Sequence, residues 1–336
     1  MKEQHWAWPG VREMLFNDLE SLYNKCGPWD LVLLTGDLTQ QGSAEEFRKV
    51  KEFLEQLWEF FGRLECCPAL LAVPGNHDLV RPDIKNPSVI LLRQWDSQQE
   101  IQEEFWNEKK SPYRRVVAKA FADYSAWWEN QLFRPGNLIS GIMPGDFSAT
   151  VEKNGAKLGI VGLNTAFLQL TGDKYRGRLA LHAGQFHEVC GGDGPGWAKQ
   201  HNACLFMTHH PPAWLNHESV KHLNEEITAH GRFAAHICGH LYEVVYRDMS
   251  EGGAESRRIW QGRSLFGLEY FGKSEIRLHG YSAGRIELCE KQGKILFWPR
   301  EARLQGGQRK IVPDYSVDLT DNQHTHPKNF NLLQSF

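Results

Sequence analysis

Side chains able to bind metal ions follow four apolar segments of the sequence, at the point where each segment ends. They occur in Gly36-Asp37, in Gly75-Asn76-His77-Asp78, in Thr208-His209-His210 and in Gly239-His240. Carboxylate, amide and imidazole ligands together suit Mn, Fe, Zn or Co better than Ca or a thiolate-bound metal. A glycine before the ligand lets the backbone turn tightly and approach an ion closely. The set therefore predicts a site for divalent transition metal ions.

The four apolar segments that precede these turns have the length and composition of buried β-strands. They are residues 30–35, 69–73, 202–207 and 232–238. An unbroken apolar run indicates a strand covered on both faces. In an open α/β sheet, ligands bind outside the carboxyl ends of the strands, so we expect the four turns to converge. Each turn alone has an ordinary structural explanation, and their order behind four strands is what favours a metal site.

Helix signals lie between the strands and suggest how the chain is organised. Apolar spacing predicts a helix over residues 11–25, and the capping box Ser43-Ala44-Glu45-Glu46 opens another that runs to about Arg63. Residues 80–150 lack a regular strand–helix alternation, and we interpret them as an insertion or cap that contains a helix over residues 112–130. We predict one domain over residues 1–313 and a loose polar tail over residues 314–336.

Beyond Glu243 the pattern changes to short alternating strands, at residues 258–260, 264–266, 284–288 and 295–298. Gly280-Tyr281-Ser282-Ala283-Gly284 matches the G-x-S-x-G elbow of serine hydrolases, which requires a helix directly after the serine. The residues that follow alternate like a strand. We therefore expect a turn between strands here, and not an esterase site.

Composition narrows the class of partner. The chain has 336 residues and a formal net charge of −3, which provides no sequence-wide positive field for coating nucleic acid. No run of 18 apolar residues occurs, so we expect no membrane partner. The seven cysteines contain no C-x-x-C motif, and the N-terminus shows no apolar leader. Reduced thiols and a cytoplasmic location are the expectation, while the oligomeric state is left open.

The ordered turns resemble the signature of the calcineurin-like metallophosphoesterases, over about residues 10–300. The resemblance implies a four-layer α/β/β/α sandwich with a dinuclear metal centre that hydrolyses phosphoesters. It further implies that Asp37 bridges two ions, and that Asn76, His209 and His240 complete one of the two ion sites.

The resemblance also implies roles around the substrate. His77 corresponds to the family's general acid, and Asp78 is expected to orient it through a hydrogen bond. By position alone, Arg81, Asn164 and Tyr242 are weaker candidates for contacts with the substrate, and the alternatives for Arg81 are a salt bridge with Asp83 or a contact with a helix end. His210 is expected to support the ligands and not to be one.

The sequence departs from the family pattern at two places, and both concern the second ion. No Asp-x-His motif occurs in the first 35 residues, where Glu3-Gln4-His5 is an imperfect echo, and Tyr242 stands where a second histidine is usual. Tyr242 is a candidate weak ligand as a phenolate. The chain therefore resembles an N-terminally incomplete or degenerate member that holds one or two ions.

Three alternatives follow for the activity. The protein is a dinuclear hydrolase, a mononuclear hydrolase, or an inactive module that binds a phosphate ligand in a regulatory role. We predict hydrolysis of phosphoesters, with a nucleotide or nucleic-acid phosphodiester as the preferred substrate class. Metal-activated hydroxide is the expected nucleophile, and Mn, Fe or Zn the expected ion.

Overall fold

The computed structural model describes residues 8–241, 244–265, 269–271, 274–276, 280–305 and 308–335. Helices and strands alternate in the first two thirds of the chain, and strands dominate the rest. The helices are α1 (Trp8–Cys26), α2 (Ala44–Arg63), α3 (Pro87–Leu92), α4 (Gln99–Asn107), α5 (Pro112–Ala120), α6 (Ala122–Glu129), α7 (Ala183–Val189), α8 (Gly194–Ala198) and α9 (His217–Lys221). The strands are β1 (Leu31–Leu34), β2 (Ala69–Ala72), β3 (Ile139–Ser140), β4 (Phe147–Lys153), β5 (Ala156–Gly162), β6 (Ala203–Met207), β7 (Ala235–Cys238), β8 (Val245–Met249), β9 (Arg257–Gln261), β10 (Glu269–Phe271), β11 (Ser274–Ile276), β12 (Gly280–Cys289), β13 (Gln292–Gln305), β14 (Gln308–Pro313) and β15 (Lys328–Asn331).

The largest sheet has seven strands in the order β3-β4-β5-β6-β7-β9-β8. Its centre, from β5 to β9, is parallel, and antiparallel strands flank it on both sides. β1 and β2 form a separate parallel pair, in which Leu31 is opposite Ala69. β12, β13 and β14 form an antiparallel sheet, and β15 joins it beside β13. Among these parallel strands, β6 is an unbroken apolar run, as the sequence predicted.

Alternating side chains show how the layers are stacked. In β2, Leu70 and Ala72 pack in the core beneath the helices, while Leu71 lies in a second core between the sheets. In β6, Phe206 faces the helices and Leu205 the inner core. The inner core also holds residues of β9 and β13, whose Trp260 and Phe297 rings stack with centroids 4.2 Å apart. Both faces of these strands are therefore buried, which confirms the α/β/β/α sandwich.

The helical part of residues 80–150 is continuous with the outer helix layer. α6 packs against α2, where Trp127 stacks on Phe47 with ring centroids 5.4 Å apart. The hydroxyl of Tyr124 donates to the Ala72 carbonyl at 3.0 Å and so ties α6 to β2. The helix predicted over residues 112–130 is divided into α5 and α6, which meet at Phe121. This segment therefore supports the strand that precedes the Gly75-Asn76-His77-Asp78 turn.

The C-terminal segment does not match the prediction of a loose tail. β15 pairs with β13, and the side chains of Asp314 and Phe330 are buried. The Leu333 amide donates to the Asn202 carbonyl at 3.0 Å. The polar composition did not predict this packing, because the segment is held by main-chain hydrogen bonds and by a few buried apolar side chains.

Two further predictions in the second half, a strand over residues 264–266 and a turn at residues 280–284, differ from the structure. Residues 264 and 265 form no strand, and residue 266 lies outside the described part of the chain. Gly280 to Gly284 lie within the continuous strand β12, so the predicted turn is wrong and no helix follows Ser282. In the described ranges, no helix is both long enough and apolar enough to cross a bilayer.

Candidate metal centre

The ends of β1, β2, β6 and β7 bring the four predicted metal ligands together. The Nε2 atom of His209 lies 3.0 Å from His240 Nδ1, 3.2 Å from Asn76 Oδ1 and 3.4 Å from Asp37 Oδ2. Neighbouring ligands at about 2.0–2.2 Å from one ion lie about 3–3.5 Å from each other. The donor types and their spacing therefore fit a divalent transition metal ion.

Two glycines permit this convergence. Gly36 has φ of 94°, and a Cβ there would lie 2.5 Å from Gly75 N and from His209 Nδ1. A Cβ on Gly75 would lie 2.2 Å from Asp37 Oδ1. These glycines let the two loops approach each other and the histidine, which places the ligands around one point. Asp37 and His240 also have positive φ, of 57° and 72°, which is unusual for residues with a side chain.

The tautomer of His209 follows from its surroundings. Its Nδ1 lies 2.6 Å from the carbonyl oxygen of Thr35, and a carbonyl can only accept. Nδ1 therefore carries a proton, and Nε2 is directed at the other ligands. This is the arrangement in which histidine ligates a metal ion through one nitrogen while an oxygen holds the other.

Asp37 and His209 each shift the pKa of the other toward its charged form. Burial raises the pKa of Asp37, but the charge of His209 and its hydrogen bond outweigh burial and lower this pKa to about 2. Burial lowers the pKa of His209, but Asp37 outweighs it and raises this pKa. Burial and the charge of His209 lower the pKa of His240 to about 3. The centre therefore holds a carboxylate and a proton that a cation can replace.

His77 lies beside the cluster and is half-buried. Its Nδ1 is 3.0 Å from the carbonyl oxygen of Gln40, so Nδ1 carries a proton and Nε2 is left without a protein partner among the described residues. Its main-chain N–H donates to Asp37 Oδ1 at 3.0 Å. The ring is thus fixed next to the ligands, with one nitrogen available to a substrate.

Asp78 does not orient His77 as predicted. Its carboxylate is fully buried and accepts hydrogen bonds from the main-chain N–H groups of Thr39 and Gly75, both at 2.9 Å. Burial and the charge of Asp37 raise the pKa of Asp78 to about 6. The Gln40 carbonyl takes over the orienting contact, because Asp78 points between the loops and not along the ring of His77.

Thr39 and Glu46 are two site residues that sequence reasoning missed. The hydroxyl of Thr39 donates to the His77 carbonyl at 2.8 Å. The carboxylate of Glu46 accepts from the N–H groups of Gln41 and Ser43, both at 3.1 Å. The capping box was the available signal: besides starting α2, it holds the loop whose Gln40 carbonyl meets His77.

The weaker substrate candidates differ in their outcome. Asn164 is fully buried, and its amide accepts from the Ala166 N–H at 2.7 Å and donates to the Pro144 carbonyl at 2.8 Å. Because Asn164 is fully buried and its amide closes its own turn, the structure does not support a contact with the substrate. Arg81 is exposed and, among the described residues, forms no ion pair with Asp83. Tyr242 lies outside the described residues, as do Glu3-Gln4-His5.

His210 lies close to His209 and His240, two of the predicted ligands. His209, His210 and His240 each offer a ring nitrogen, and these atoms lie within 4.8 Å of one another. His210 is fully buried, and its Nδ1 is 2.9 Å from Thr165 Oγ1. Burial, with the charges of His209 and His240, lowers the pKa of His210, so the ring is neutral.

Comparison with known proteins places the chain in a family. A profile described as calcineurin-like phosphoesterase matches residues 5–243 of the 336. No curated protein matches the sequence significantly.

Solved structures resemble the chain at low sequence identity. A protein described as a candidate 5′-nucleotidase from Staphylococcus aureus, in complex with alpha-ketoglutarate, is 11% identical with a TM-score of 0.36, covering 92% of this chain and 51% of its own. A hypothetical protein from Thermus thermophilus is 14% identical with a TM-score of 0.34, covering 96% and 95%. Sulfate thiohydrolase SoxB from Thermus thermophilus, in complex with glycerol, is 16% identical with a TM-score of 0.29, covering 79% and 42%. The chain spans about half the length of the Staphylococcus aureus protein.

Proposed function

The chain belongs to the calcineurin-like phosphoesterase family, and on that premise we propose that it hydrolyses phosphodiesters of the nucleotide or nucleic-acid type. The observation that carries the proposal is the convergence of Asp37, Asn76 and His240 on the Nε2 atom of His209. Family membership supports metal-dependent hydrolysis of phosphoesters. The preference for diesters is our extension of it.

In this proposal Asp37, Asn76, His209 and His240 hold the ion. When bound, the ion lowers the pKa of a water molecule and polarises the phosphoryl oxygens. His209 must lose its Nε2 proton before it can ligate, and the Thr35 carbonyl holds the ring in the required tautomer. The set of one carboxylate, one amide and imidazoles suits Mn, Fe, Zn or Co.

His77 supplies the proton for the leaving group. As the bond between phosphorus and the ester oxygen breaks, the imidazolium passes its Nε2 proton to that oxygen and becomes neutral. The Gln40 carbonyl accepts from Nδ1 at 3.0 Å and so fixes the direction of the ring. Arg81, exposed three residues after Asp78, is the proposed contact for a phosphate oxygen.

A second candidate function is a weakened or inactive module that binds a phosphate ligand. Tyr242 favours it, because a histidine is usual at that position in the family and the second ion would lose a nitrogen ligand. A cytoplasmic location remains a prediction in either case.

The test combines metal analysis with an assay on bis-p-nitrophenyl phosphate in the presence of Mn²⁺. We expect turnover that Asp37→Ala abolishes. His77→Ala should slow esters with poor alkoxide leaving groups far more than p-nitrophenyl esters, since only a poor leaving group needs a proton. Arg247→Ala, on the exposed strand β8, is a control that should leave the rate unchanged.

Two results would decide against the hydrolase. Turnover that persists in the Asp37→Ala protein would mean that another site or a contaminant is responsible. A wild-type protein that binds Mn²⁺ and inorganic phosphate without turnover of any ester would favour the binding module. Tyr242→His should then raise the number of bound ions if the missing ligand is what limits the second site.

A further inference from the structure

His210 has a buried nitrogen without a hydrogen-bond partner. The ring is fully buried, and Nε2 contacts no donor or acceptor among the described residues. Leaving a buried polar atom unpaired costs about 1–3 kcal/mol, so native proteins rarely do so without a bound water, ion or ligand. The second ring nitrogen therefore needs a partner that the described part of the chain does not provide.

The position of the ring limits what that partner is. The ring centroid of His210 lies 4.5 Å from that of His240 and 4.6 Å from that of His209. Their ring nitrogens lie within 4.8 Å of one another. Two ligands at about 2.1 Å from one ion can be up to about 4.2 Å apart. One nitrogen from each of the three rings therefore lies close enough to the others for a small movement to bring all three within reach of one ion.

His209 and His210 each have their Nδ1 atom beside an oxygen, which is a carbonyl that can only accept for His209 and a hydroxyl that can accept or donate for His210. His209 places Nδ1 at 2.6 Å from the Thr35 carbonyl, and His210 places Nδ1 at 2.9 Å from the hydroxyl oxygen of Thr165. An oxygen on one nitrogen and a free second nitrogen are the usual surroundings of a ligating histidine. Thr165 is fully buried and also accepts from the His210 main-chain N–H at 3.1 Å, so the anchor is rigid.

We infer that His210 is a third imidazole ligand of the ion held by His209 and His240, bound through its unpaired Nε2 atom. The inference rests on the proposed metal-dependent function and deepens it. A site with three imidazoles favours Co²⁺ and Zn²⁺ over Mn²⁺ more strongly than a site with two. His210 would thus add a nitrogen ligand to the ion held by His209 and His240, whereas Tyr242 takes the place of a nitrogen ligand at the second ion.

A measurement on the unaltered protein provides the first test. Co²⁺ shifts the proton signals of the imidazoles that bind it, and each ligating ring contributes one solvent-exchangeable N–H signal in the proton NMR spectrum. We expect three such signals that disappear in D₂O. Two signals would overturn the inference.

Substitution provides the second test. His210→Phe keeps a ring in the buried space, and His210→Gln keeps a polar group for Thr165. Either should weaken Co²⁺ binding by at least about tenfold, the lower limit for losing even a supporting contact at a metal site. The electronic absorption of bound Co²⁺ should change, and the preference for Co²⁺ over Mn²⁺ should shrink.

His236→Gln is the matched control. His236 is also buried and also bound to a threonine, with Nε2 at 2.7 Å from Thr208 Oγ1, but it is not one of the three clustered imidazoles. We expect its Co²⁺ affinity and spectrum to match the wild type. The inference is overturned if folded His210 variants bind Co²⁺ as the wild type does, or if the His236 control loses as much affinity. Failure of the wild type to bind any divalent ion would instead count against the proposed function.

Discussion

Two buried polar clusters in this protein look alike in composition and differ in what they require. In the first, Asp18 of α1 accepts from Arg300 Nε at 2.8 Å and from the Tyr281 hydroxyl at 2.6 Å, and Arg300 also contacts its other oxygen. In the second, side-chain atoms of Asp37, Asn76 and His240, the proposed ligands, surround one nitrogen of His209. Both join segments far apart in the sequence.

The difference lies in how the charges are matched. Each oxygen of Asp18 has a donor, and the cluster holds one negative and one positive side chain, 6% and 5% exposed. Its role is to fasten α1 to the second sheet. At the candidate metal centre, the lone pairs of several acceptor atoms face one another, and their repulsion is removed only when a proton or a cation lies between them. A buried carboxylate whose two oxygens both have donors therefore indicates structure, and a cluster of converging acceptors indicates a binding site.

The largest expected effect comes from Asp37→Ala. Removing the carboxylate should weaken binding of Co²⁺ or Zn²⁺ by more than about a hundredfold, beyond what the loss of a supporting contact causes. The metal-free protein should lose the stabilisation that the Asp37–His209 ion pair provides, so its unfolding should move to a somewhat lower denaturant concentration. Titration with a competing chelator measures the first quantity and urea unfolding the second. Unchanged metal affinity would show that Asp37 is not a ligand.

Asp18→Ala should produce the opposite pattern. It leaves the buried Arg300 charge without a partner and should lower the free energy of unfolding by about 3–5 kcal/mol. Metal affinity per folded molecule should not change. The double variant Asp18→Leu with Arg300→Met should recover most of the lost stability, because it removes both charges. A double variant as unstable as the single one would mean that the pair contributes more than charge balance.

Metal binding at the second cluster should depend on pH. The pKa of His209 is raised by Asp37, so the ring is protonated below this pKa and must release a proton to ligate. Apparent metal affinity should fall about tenfold per pH unit below that pKa and level off above it. Calorimetry in buffers of different ionisation enthalpy counts the released proton. Binding without proton release near pH 6 would contradict the assignment.

The contribution of His209 to the stability of the metal-free protein depends on pH in the opposite direction to metal affinity: it falls as the pH rises. The raised pKa of His209 means that its stabilisation is present below about pH 6.5 and lost as the pH rises through the folded value. The pKa of Asp37, lowered to about 2 from 3.8, contributes stability above about pH 4 that is lost as the pH falls toward 2. The ion pair therefore stabilises the metal-free fold most between these limits, where it also competes with the metal.

The smallest effect is expected from Thr39→Val. Loss of the hydroxyl that donates to the His77 carbonyl removes a hydrogen bond of about 0.5–1.5 kcal/mol, or about three- to tenfold in rate. The loss should appear with alkoxide leaving groups and be absent with p-nitrophenyl esters, as for His77→Ala. Thr39→Ser should restore the rate. An equal loss with both leaving groups would indicate general damage to the site.

Much of the site could be predicted because its signals are local. Apolar runs identified β1, β2, β6 and β7, and the turns behind them placed Asp37, Asn76, His209 and His240. The rule for the carboxyl ends of one open sheet accounts for the meeting within each pair, whereas β1 and β2 lie in a different sheet from β6 and β7, and the packing of the two sheets brings the pairs together. Family membership of the chain agrees with that interpretation.

The failures concern side chains whose direction the sequence does not encode. Asp78 follows His77 in the chain, yet its carboxylate turns away to the N–H groups of Thr39 and Gly75. Asn164 follows a strand as the ligands do, but its amide closes its own turn. The sequence likewise does not show that one ring nitrogen of His210 is buried without a hydrogen-bond partner.

The sequence alone determined which elements form and which residue types end them, because hydrophobic periodicity and turn chemistry act over a few neighbours. Only the tertiary structure decided which polar atoms are paired with protein and which are left facing one another. Pairing depends on distances between segments far apart in the sequence, such as Asp18 and Arg300, which are 282 residues apart. Such distances are fixed by packing of the whole chain, which is why the metal centre and the structural ion pair can be told apart only in three dimensions.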